Sequence, residues 1–321
     1  MTCFDVFNGD ADGICSLQQL RLQTPRESTL VSGLKREIDL LRRVEAEAGD
    51  EITVLDISLD KNRDALVRAL DAGAAVFYAD HHFAGDIPVH DGLECHIDTA
   101  ADTCTSLIVN GLLNGAQARW AVVGAFGDNF DKPASELGWS LGLNAEDLAA
   151  LQQLGICLNY NGYGLEIEDL LFHPADLYRL LQPYRNPVDF IENEIGYAEL
   201  RAQYEDDLLR AKNAPADSIS GAGAIYLLPD EGWARRIVGV MGNDIAKQFP
   251  DRAHALLVDM GDGNYRVSVR APYNCKDGAD ELCRQFPTGG GRKAAAGINA
   301  LAREELERFV GLFEKQFGKS V

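Results

Sequence analysis

Short apolar runs alternate with longer amphipathic stretches over the first part of the chain. Four runs have the length and the flanking turn residues of buried strands: 3–7, 28–32, 52–57 and 74–79. The stretches that follow them have helical periodicity: 13–22, 34–47 and 61–72. This alternation predicts right-handed βαβ units and a parallel sheet. From residue 103 to about 181 the pattern predicts mainly helices.

A change of pattern at Asn186-Pro187 predicts a domain boundary. The next stretch is helical and charged (188–213), and a loop rich in Ala, Ser and Gly follows (214–221). Beyond it, the pattern predicts the strands 223–228, 253–260 and 264–270, with a hairpin turn at Gly261-Asp262-Gly263. Helices are predicted at 234–248, 279–285 and 304–317. We therefore expect an N-terminal domain at 1–187, a helical connector at 188–214 and a smaller C-terminal α/β domain at 215–321.

Length and composition fit this organisation. A chain of 321 residues is long enough for two domains, and 46% hydrophobic with 25% charged residues is an ordinary globular balance. No apolar run reaches about 18 residues and no signal-like segment opens the sequence, so we expect a cytoplasmic protein. The seven cysteines include no CxxC pair, which does not resemble a disulfide framework. The net charge of −20 argues against a long duplex nucleic acid as the partner but suits divalent cations.

Acidic and imidazole side chains recur where predicted strands end. Asp10 and Asp12 follow the first strand, Asp56 follows Thr53-Val54-Leu55 near the end of the third, Asp80-His81-His82 follows the fourth, and Asp128 follows the apolar run 121–126. Ligands of open parallel sheets bind at these carboxyl ends. Two divalent metals about 3.5–4 Å apart need such a set, with one bridging carboxylate, to produce hydroxide near neutral pH.

Each of these residues has an ordinary structural explanation. Asp10 and Asp12 suit a glycine-flanked turn, Asp56 and Asp128 suit helix caps, and two adjacent histidines are often just exposed. Their joint occurrence in this order nevertheless favours a metal site.

The run Gly289-Gly290-Gly291-Arg292-Lys293 is a second signal. Consecutive glycines let the backbone approach a ligand and aim N–H groups at anionic oxygens, and the two cations that follow suit phosphate. Arg270, at the end of a predicted strand, adds a guanidinium to the same domain. The alternatives are a flexible loop and a surface arginine.

Together these motifs resemble the DHH phosphoesterase superfamily, in the branch with a DHH-associated C-terminal domain. The resemblance implies an N-terminal parallel-sheet domain that carries the metals, a C-terminal substrate-binding domain, and an active site in the cleft between them. It also implies two divalent cations, usually Mn²⁺, with Mg²⁺ as the alternative. By this resemblance Asp10 and Asp56 hold the first ion, and Asp56 bridges to the second, whose other ligands are Asp12, His81 and Asp128.

The resemblance assigns further roles. His82 would lie beside the metals and contact the phosphate, and Asp80 would support the histidines. Arg270, Gly289, Gly290, Gly291, Arg292 and Lys293 would bind the substrate. Two departures from the family pattern stand out: Val6 and Asn8 occupy the positions where a further His or Asp ligand is usual, and Arg292 stands where the glycine run usually ends in His.

These expectations lead to one main functional hypothesis and two alternatives. The main hypothesis is hydrolysis of short oligonucleotides, dinucleotides or nucleoside phosphates by a metal-activated hydroxide. The alternatives are hydrolysis of inorganic polyphosphate and nucleotide binding by a protein whose metal site is impaired at Asn8. We expect no membrane partner, and a homodimer is left open.

Overall fold

The computed structural model describes residues 1–318. Contacts within the chain group it into two compact units, one from Met1 to Ala202 and the other from Gln203 onward. Helix 195–213 runs through the division, and the helix before it begins at Pro187, where the sequence changes pattern. The domain limits 187/188 and 214/215 stay a prediction.

The first unit is built on a five-stranded sheet whose neighbouring strands are all parallel, as the alternating pattern predicts. Its strands are β1 (Cys3–Phe7), β2 (Thr29–Val31), β3 (Glu51–Leu55), β4 (Ala75–Asp80) and β5 (Leu93–Ile97), in the order β2-β1-β3-β4-β5. The edge strand β5 was not predicted. It carries Glu94 and His96 and is mostly half-buried, so it has no apolar run to reveal it.

Nine helices surround or follow this sheet among the described residues. They are α1 (Ala11–Gln23), α2 (Leu59–Asp71), α3 (Thr105–Leu112), α4 (Ala118–Gly127), α5 (Asp131–Ser140), α6 (Ala145–Asn161), α7 (Pro174–Leu181), α8 (Pro187–Asn193) and α9 (Ile195–Asn213). The helical region after residue 103 is thereby confirmed. None of the helices among residues 1–318 combines the length and apolar character needed to cross a membrane.

The prediction of a helix over residues 34–47 was wrong. This segment is a loop with one short 3-10 helix, Leu40–Arg43. Leu40 and Leu41 do enter the core, which explains the misleading apolar periodicity. Asn62 of α2 holds the loop, because its side chain accepts from Leu41 N at 3.1 Å and donates to Ile38 O at 2.6 Å.

The apolar run 121–126 is not a strand either. It belongs to α4, which is buried on nearly every side, and such a helix loses the amphipathic period that would distinguish it from a buried strand. A side chain at Gly127 would collide with Ala11 of α1, and one at Gly155 of α6 would collide with Val123 O. Close helix crossings therefore fix the end of α4, and Asp128 follows a helix rather than a strand.

The second unit has a mixed six-stranded sheet. Its strands are β6 (Ser218–Ile219), β7 (Gly223–Leu228), β8 (Ala253–Asp259), β9 (Asn264–Arg270), β10 (Gly289–Arg292) and β11 (Ala295–Ala302), in the order β10-β11-β9-β8-β7-β6. Its helices are α10 (Gly232–Gln248), α11 (Ala279–Cys283) and α12 (Leu306–Phe317). The predicted β8–β9 hairpin is confirmed as an antiparallel pair. The predicted α/β class is confirmed for both units.

Candidate metal centre

The carboxyl ends of β1, β3 and β4 bring most of the predicted ligands together. Asp10, Asp12, Asp56 and Asp80 are each at most 2% exposed. Neighbouring parallel strands end at one edge of the sheet, so side chains distant in sequence meet there. Four carboxylates buried this closely repel one another unless cations or hydrogen bonds compensate.

Asp10 is the N-cap of α1. Its Oδ1 accepts from Asp12 N at 3.0 Å and from Gly13 N at 3.1 Å, which satisfies two free N–H groups of the first turn. One oxygen of Asp10 therefore has the local structural role that a glycine-flanked turn suggested. Its other oxygen, Oδ2, accepts from the ammonium of Lys35.

Asp12 is held by the start of α3. Its two carboxylate oxygens accept from Thr105 N at 2.8 Å and from Ser106 N at 2.7 Å. Thr105 Oγ1 also donates to Asp56 Oδ1 at 3.0 Å. One helix terminus thus orients two of the predicted ligands.

His81 completes the cluster. Its Nε2 lies 3.5 Å from Asp56 Oδ1 and 3.5 Å from Asp128 Oδ2. One ligand atom from each of Asp12, His81 and Asp128 lies within 4.8 Å of the others, and the same holds for Asp56, His81 and His82. Three carboxylates and an imidazole are a donor set that Mn²⁺ or Mg²⁺ accepts, so these residues fit the cation that the resemblance implies.

Asp56 is strained in two ways. Its φ is +60°, in the left-handed region that costs a non-glycine residue about 1 kcal/mol or more. Burial raises the pKa of Asp56 well above its usual value, and the charges of Asp12, Asp10 and Asp128 raise it further. A bound cation would relieve this repulsion. Such strain is typical of functional sites.

His82 and Asp80 form a pair beside the cluster. Asp80 Oδ1 lies 2.6 Å from His82 Nδ1, and the His82 side chain is 40% exposed. Burial opposes a charge on His82, but the hydrogen bond and charge of Asp80 outweigh it and raise the pKa of the imidazole. Asp80 therefore fixes the ring orientation, as the resemblance implies.

Lys35 is a charged residue of the site that was not predicted from the sequence. Its Nζ contacts Asp10 Oδ2 at 2.5 Å, Asn159 Oδ1 at 2.9 Å and Asp128 Oδ1 at 3.0 Å. Burial opposes its charge, yet Asp10, Tyr163 and Asp128 raise the pKa of the ammonium well above its usual range. A single lysine in a wrongly predicted helix carries no spacing signal that would have identified it.

Asn8 holds the loop that carries Lys35. Its Nδ2 donates to Lys35 O at 3.2 Å, and its Oδ1 is buried without a partner among the described residues. Val6, the other position where a ligand is usual in the family, lies in the hydrophobic core. A first ion would thus find both oxygens of Asp10 already paired, and an amide at Asn8 in place of a further acidic ligand.

The glycine run of the second unit forms strand β10 rather than a loop. A side chain at Gly289 would collide with Cys283 O, and one at Gly291 (φ +137°) would collide with Ala296, whereas Gly290 faces open space. Gly289 and Gly291 are therefore required by packing. Gly290 is the glycine of the three that leaves room for a ligand.

Two of the three predicted basic residues of this unit lie in one row across the sheet, and the third does not. Arg270 and Arg292 both pair with Ala295, from either side of β11. Arg270 Nε donates to Asn243 Oδ1 at 2.9 Å. Lys293 is exposed and its Nζ lies 3.2 Å from Asp277, so it does not join this row.

Comparisons with known proteins agree with the fold. Residues 221–319 match the family model of the DHHA1 domain. No curated protein sequence matches the chain.

Among solved structures, exonuclease RecJ bound to manganese has a TM-score of 0.63 at 16% identity, over 100% of this chain and 91% of that one. The pGpG-specific phosphodiesterase PggH from Vibrio cholerae has a TM-score of 0.61 at 15% identity, over 99% of both chains. RecJ from Thermus thermophilus in complex with Mn²⁺ has a TM-score of 0.62 at 18% identity, and this chain covers 52% of its length. The DHHA1 match and the shared fold confirm the resemblance to the DHH phosphoesterase superfamily, in the branch with a DHHA1 C-terminal domain.

Proposed function

We propose that the protein is a metal-dependent phosphoesterase that hydrolyses short oligonucleotides, dinucleotides or nucleoside phosphates. The observation that carries this proposal is the convergence of Asp12, Asp56, His81 and Asp128 at one edge of the parallel sheet. The fold supports the reaction class, because the manganese-bound exonuclease RecJ and the phosphodiesterase PggH share it. Mn²⁺ is the ion we expect, with Mg²⁺ as the alternative.

A divalent cation bound to these residues would acidify a water molecule and neutralise charge on the phosphoryl group. The side chains of the protein do the rest. Asp80 orients His82 so that its partly exposed ring can donate to a phosphate oxygen. Thr105 and the N-terminus of α3 keep Asp12 and Asp56 in place.

We assign substrate binding to Arg270, Arg292 and Gly290 of the second unit. The two guanidiniums suit phosphate oxygens, and Gly290 allows close approach to the backbone. Gly289 and Gly291 contribute by forming the strand, and Lys293 contributes positive charge at its end. The acidic remainder of the chain favours small substrates over long duplexes.

Substrates that carry a base are favoured over inorganic phosphate chains by one feature of the first unit. Phe83 follows His82 directly in the sequence and its side chain is 74% exposed. An exposed aromatic ring next to a phosphate site can stack on a nucleobase.

A second candidate is a nucleotide-binding protein with an impaired metal site. The pairing of Lys35 with Asp10 and the amide at Asn8 favour it. In that case the nucleotide would bind without turnover at saturating Mn²⁺.

A hydrolysis panel tests the proposal. The substrates are a dinucleotide, a short oligonucleotide, adenosine bisphosphate, a cyclic dinucleotide and a short polyphosphate, each with Mn²⁺, with Mg²⁺ and with chelator. Asp56→Ala should abolish metal-dependent cleavage, and Asp60→Ala, a nearby surface change, should not. Full activity of Asp56→Ala would refute the site, and cleavage of polyphosphate alone would refute the nucleotide substrates.

A further inference from the structure

The ammonium of Lys35 contacts two carboxylates, Asp10 and Asp128, for which the resemblance predicts metal ions. An ammonium group has three N–H donors, and all three have acceptors here: Asp10, Asp128 and Asn159. Two of these acceptors are residues to which the resemblance gives metals. The ammonium group is thus hydrogen-bonded to carboxylates that were predicted to bind metal.

The backbone fixes this position. Lys35 N donates to Gly162 O at 3.0 Å, and Lys35 O accepts from Asn8 Nδ2 at 3.2 Å. Asn159 and Gly162 both lie at the end of α6, so one helix terminus holds the lysine backbone and its ammonium. Asn8, where the family usually has a ligand, thus holds the loop of the lysine.

The charge of Lys35 also opposes binding of a divalent ion at Asp10. Asp10 gives one oxygen to the N-terminus of α1 and the other to Lys35, so a divalent ion bound to Asp10 would share an oxygen with the ammonium. An ion beside a retained ammonium would be repelled strongly at this burial. By contrast, Asp128 divides its two oxygens, with Oδ1 on Lys35 and Oδ2 on the His81 side, where Asp56 Oδ1 also lies.

We propose that the ammonium of Lys35 replaces one of the two cations, so that the chain binds a single divalent ion through Asp12, Asp56, His81 and Asp128. This inference rests on the proposed metal dependence. Three hydrogen bonds fix the ammonium of Lys35, and its side chain is 24% exposed, so it would supply a fixed positive charge that a bound phosphoryl group can use. Asp10 then serves as a positioning residue for Lys35 and not as a metal ligand.

Metal stoichiometry tests this without any turnover. Purified protein is stripped with chelator, titrated with Mn²⁺ by calorimetry, and checked by electron paramagnetic resonance, which distinguishes an isolated Mn²⁺ from a coupled pair. We expect one ion per chain and an isolated-ion spectrum for the wild type. Lys35→Ala should admit a second ion and give a coupled spectrum, and Lys61→Ala, an exposed lysine, should behave as wild type.

Asp10→Asn provides an independent variant in case Lys35→Ala does not fold. Loss of a metal ligand would weaken Mn²⁺ binding by at least about tenfold, so unchanged stoichiometry and affinity would support the positioning role. Two ions in the wild type, or one ion in folded Lys35→Ala, would overturn the inference. Absence of any bound ion would instead overturn the proposed function, so the two failures are distinguishable.

Discussion

Arg270 and Arg292 face the same residue, Ala295, from the two strands that flank β11. Directly paired residues of antiparallel strands point to the same face of a sheet, and two strand spacings separate the Cα atoms of the two arginines by about 10 Å. Ser268, Gly297 and Gly290 form the next row on that face. Small residues between two arginines give a flat surface that phosphate groups can approach.

The first prediction concerns this arginine pair. Arg270→Ala and Arg292→Ala should each raise KM for the preferred substrate by about 10- to 100-fold, since each removes a charge-assisted contact of about 1.5–3 kcal/mol. Mn²⁺ stoichiometry should not change. Arg308→Ala, an exposed arginine paired with Glu305, is the matched control. An unchanged KM in both variants would remove this row from the substrate site.

The second prediction separates structure from function within the glycine run. Gly290→Ala meets no atom within 4 Å and should leave the melting temperature nearly unchanged while it raises KM. Gly289→Ala collides with Cys283 O and should destabilise or prevent folding. Thermal unfolding and substrate kinetics of the two variants check this. A wild-type KM for Gly290→Ala would show that no ligand approaches there.

The third prediction concerns the strain at Asp56. Asn tolerates the left-handed conformation and removes the buried charge, so metal-free Asp56→Asn should be more stable than metal-free wild type by about 1–2 kcal/mol at neutral pH. Because the pKa of Asp56 is raised, this difference should grow as the pH rises through that pKa and vanish below the unfolded value of about 4.

The measurement is urea denaturation with chelator present, followed by the same experiment with Mn²⁺. Added Mn²⁺ should stabilise the wild type and not Asp56→Asn. Asp60→Asn serves as the surface control. A metal-free variant less stable than wild type would contradict the claim that Asp56 is held against repulsion.

The fourth prediction tests base recognition by Phe83. Stacking of a base on an aromatic ring contributes about 1–3 kcal/mol, so Phe83→Ala should raise KM for a dinucleotide by about tenfold. Hydrolysis of a simple aryl phosphodiester should not change. Trp139→Ala removes another exposed aromatic residue of the first unit and should have no effect. Equal losses on both substrates would assign Phe83 a structural role instead.

Four of the five strands of the first unit and the meeting of acidic residues at their ends could be predicted from the sequence, because these depend on local patterns. Strands β1, β3 and β4 are apolar runs that end in acidic residues, so Asp10, Asp12 and Asp56 could be placed at one sheet edge. Lys35 could not be predicted. Its position depends on a loop fixed by Asn62 and on the end of α6, more than 120 residues away in sequence.

The glycine run shows the same limit. Three glycines before Arg292 predict a phosphate loop when read alone. Their strand conformation depends on pairing with β11 and on packing against Cys283, which are tertiary contacts. Asp128 lies beside His81 although α4 was taken for a strand, because the end of this helix also reaches the acidic cluster.

The fifth prediction concerns His254, a fully buried residue of β8 that is remote from the metal centre in sequence and in its contacts. Burial lowers the pKa of His254, and its Nε2 has only a long contact, 3.4 Å, to Phe249 O. In the unfolded chain the pKa is about 6.5. Above that value both states are neutral and the residue adds no pH dependence. As the pH falls from about 6.5 towards the lowered folded value, the unfolded state takes up a proton first, so stability is lost.

His254→Leu removes this pH-dependent contribution, and its urea midpoint should therefore fall less than that of wild type between about pH 7.5 and 5.5. His90→Leu, at an exposed position, should retain the wild-type slope. Equal slopes for wild type and His254→Leu would show that His254 is protonated as readily in the folded chain as in the unfolded one.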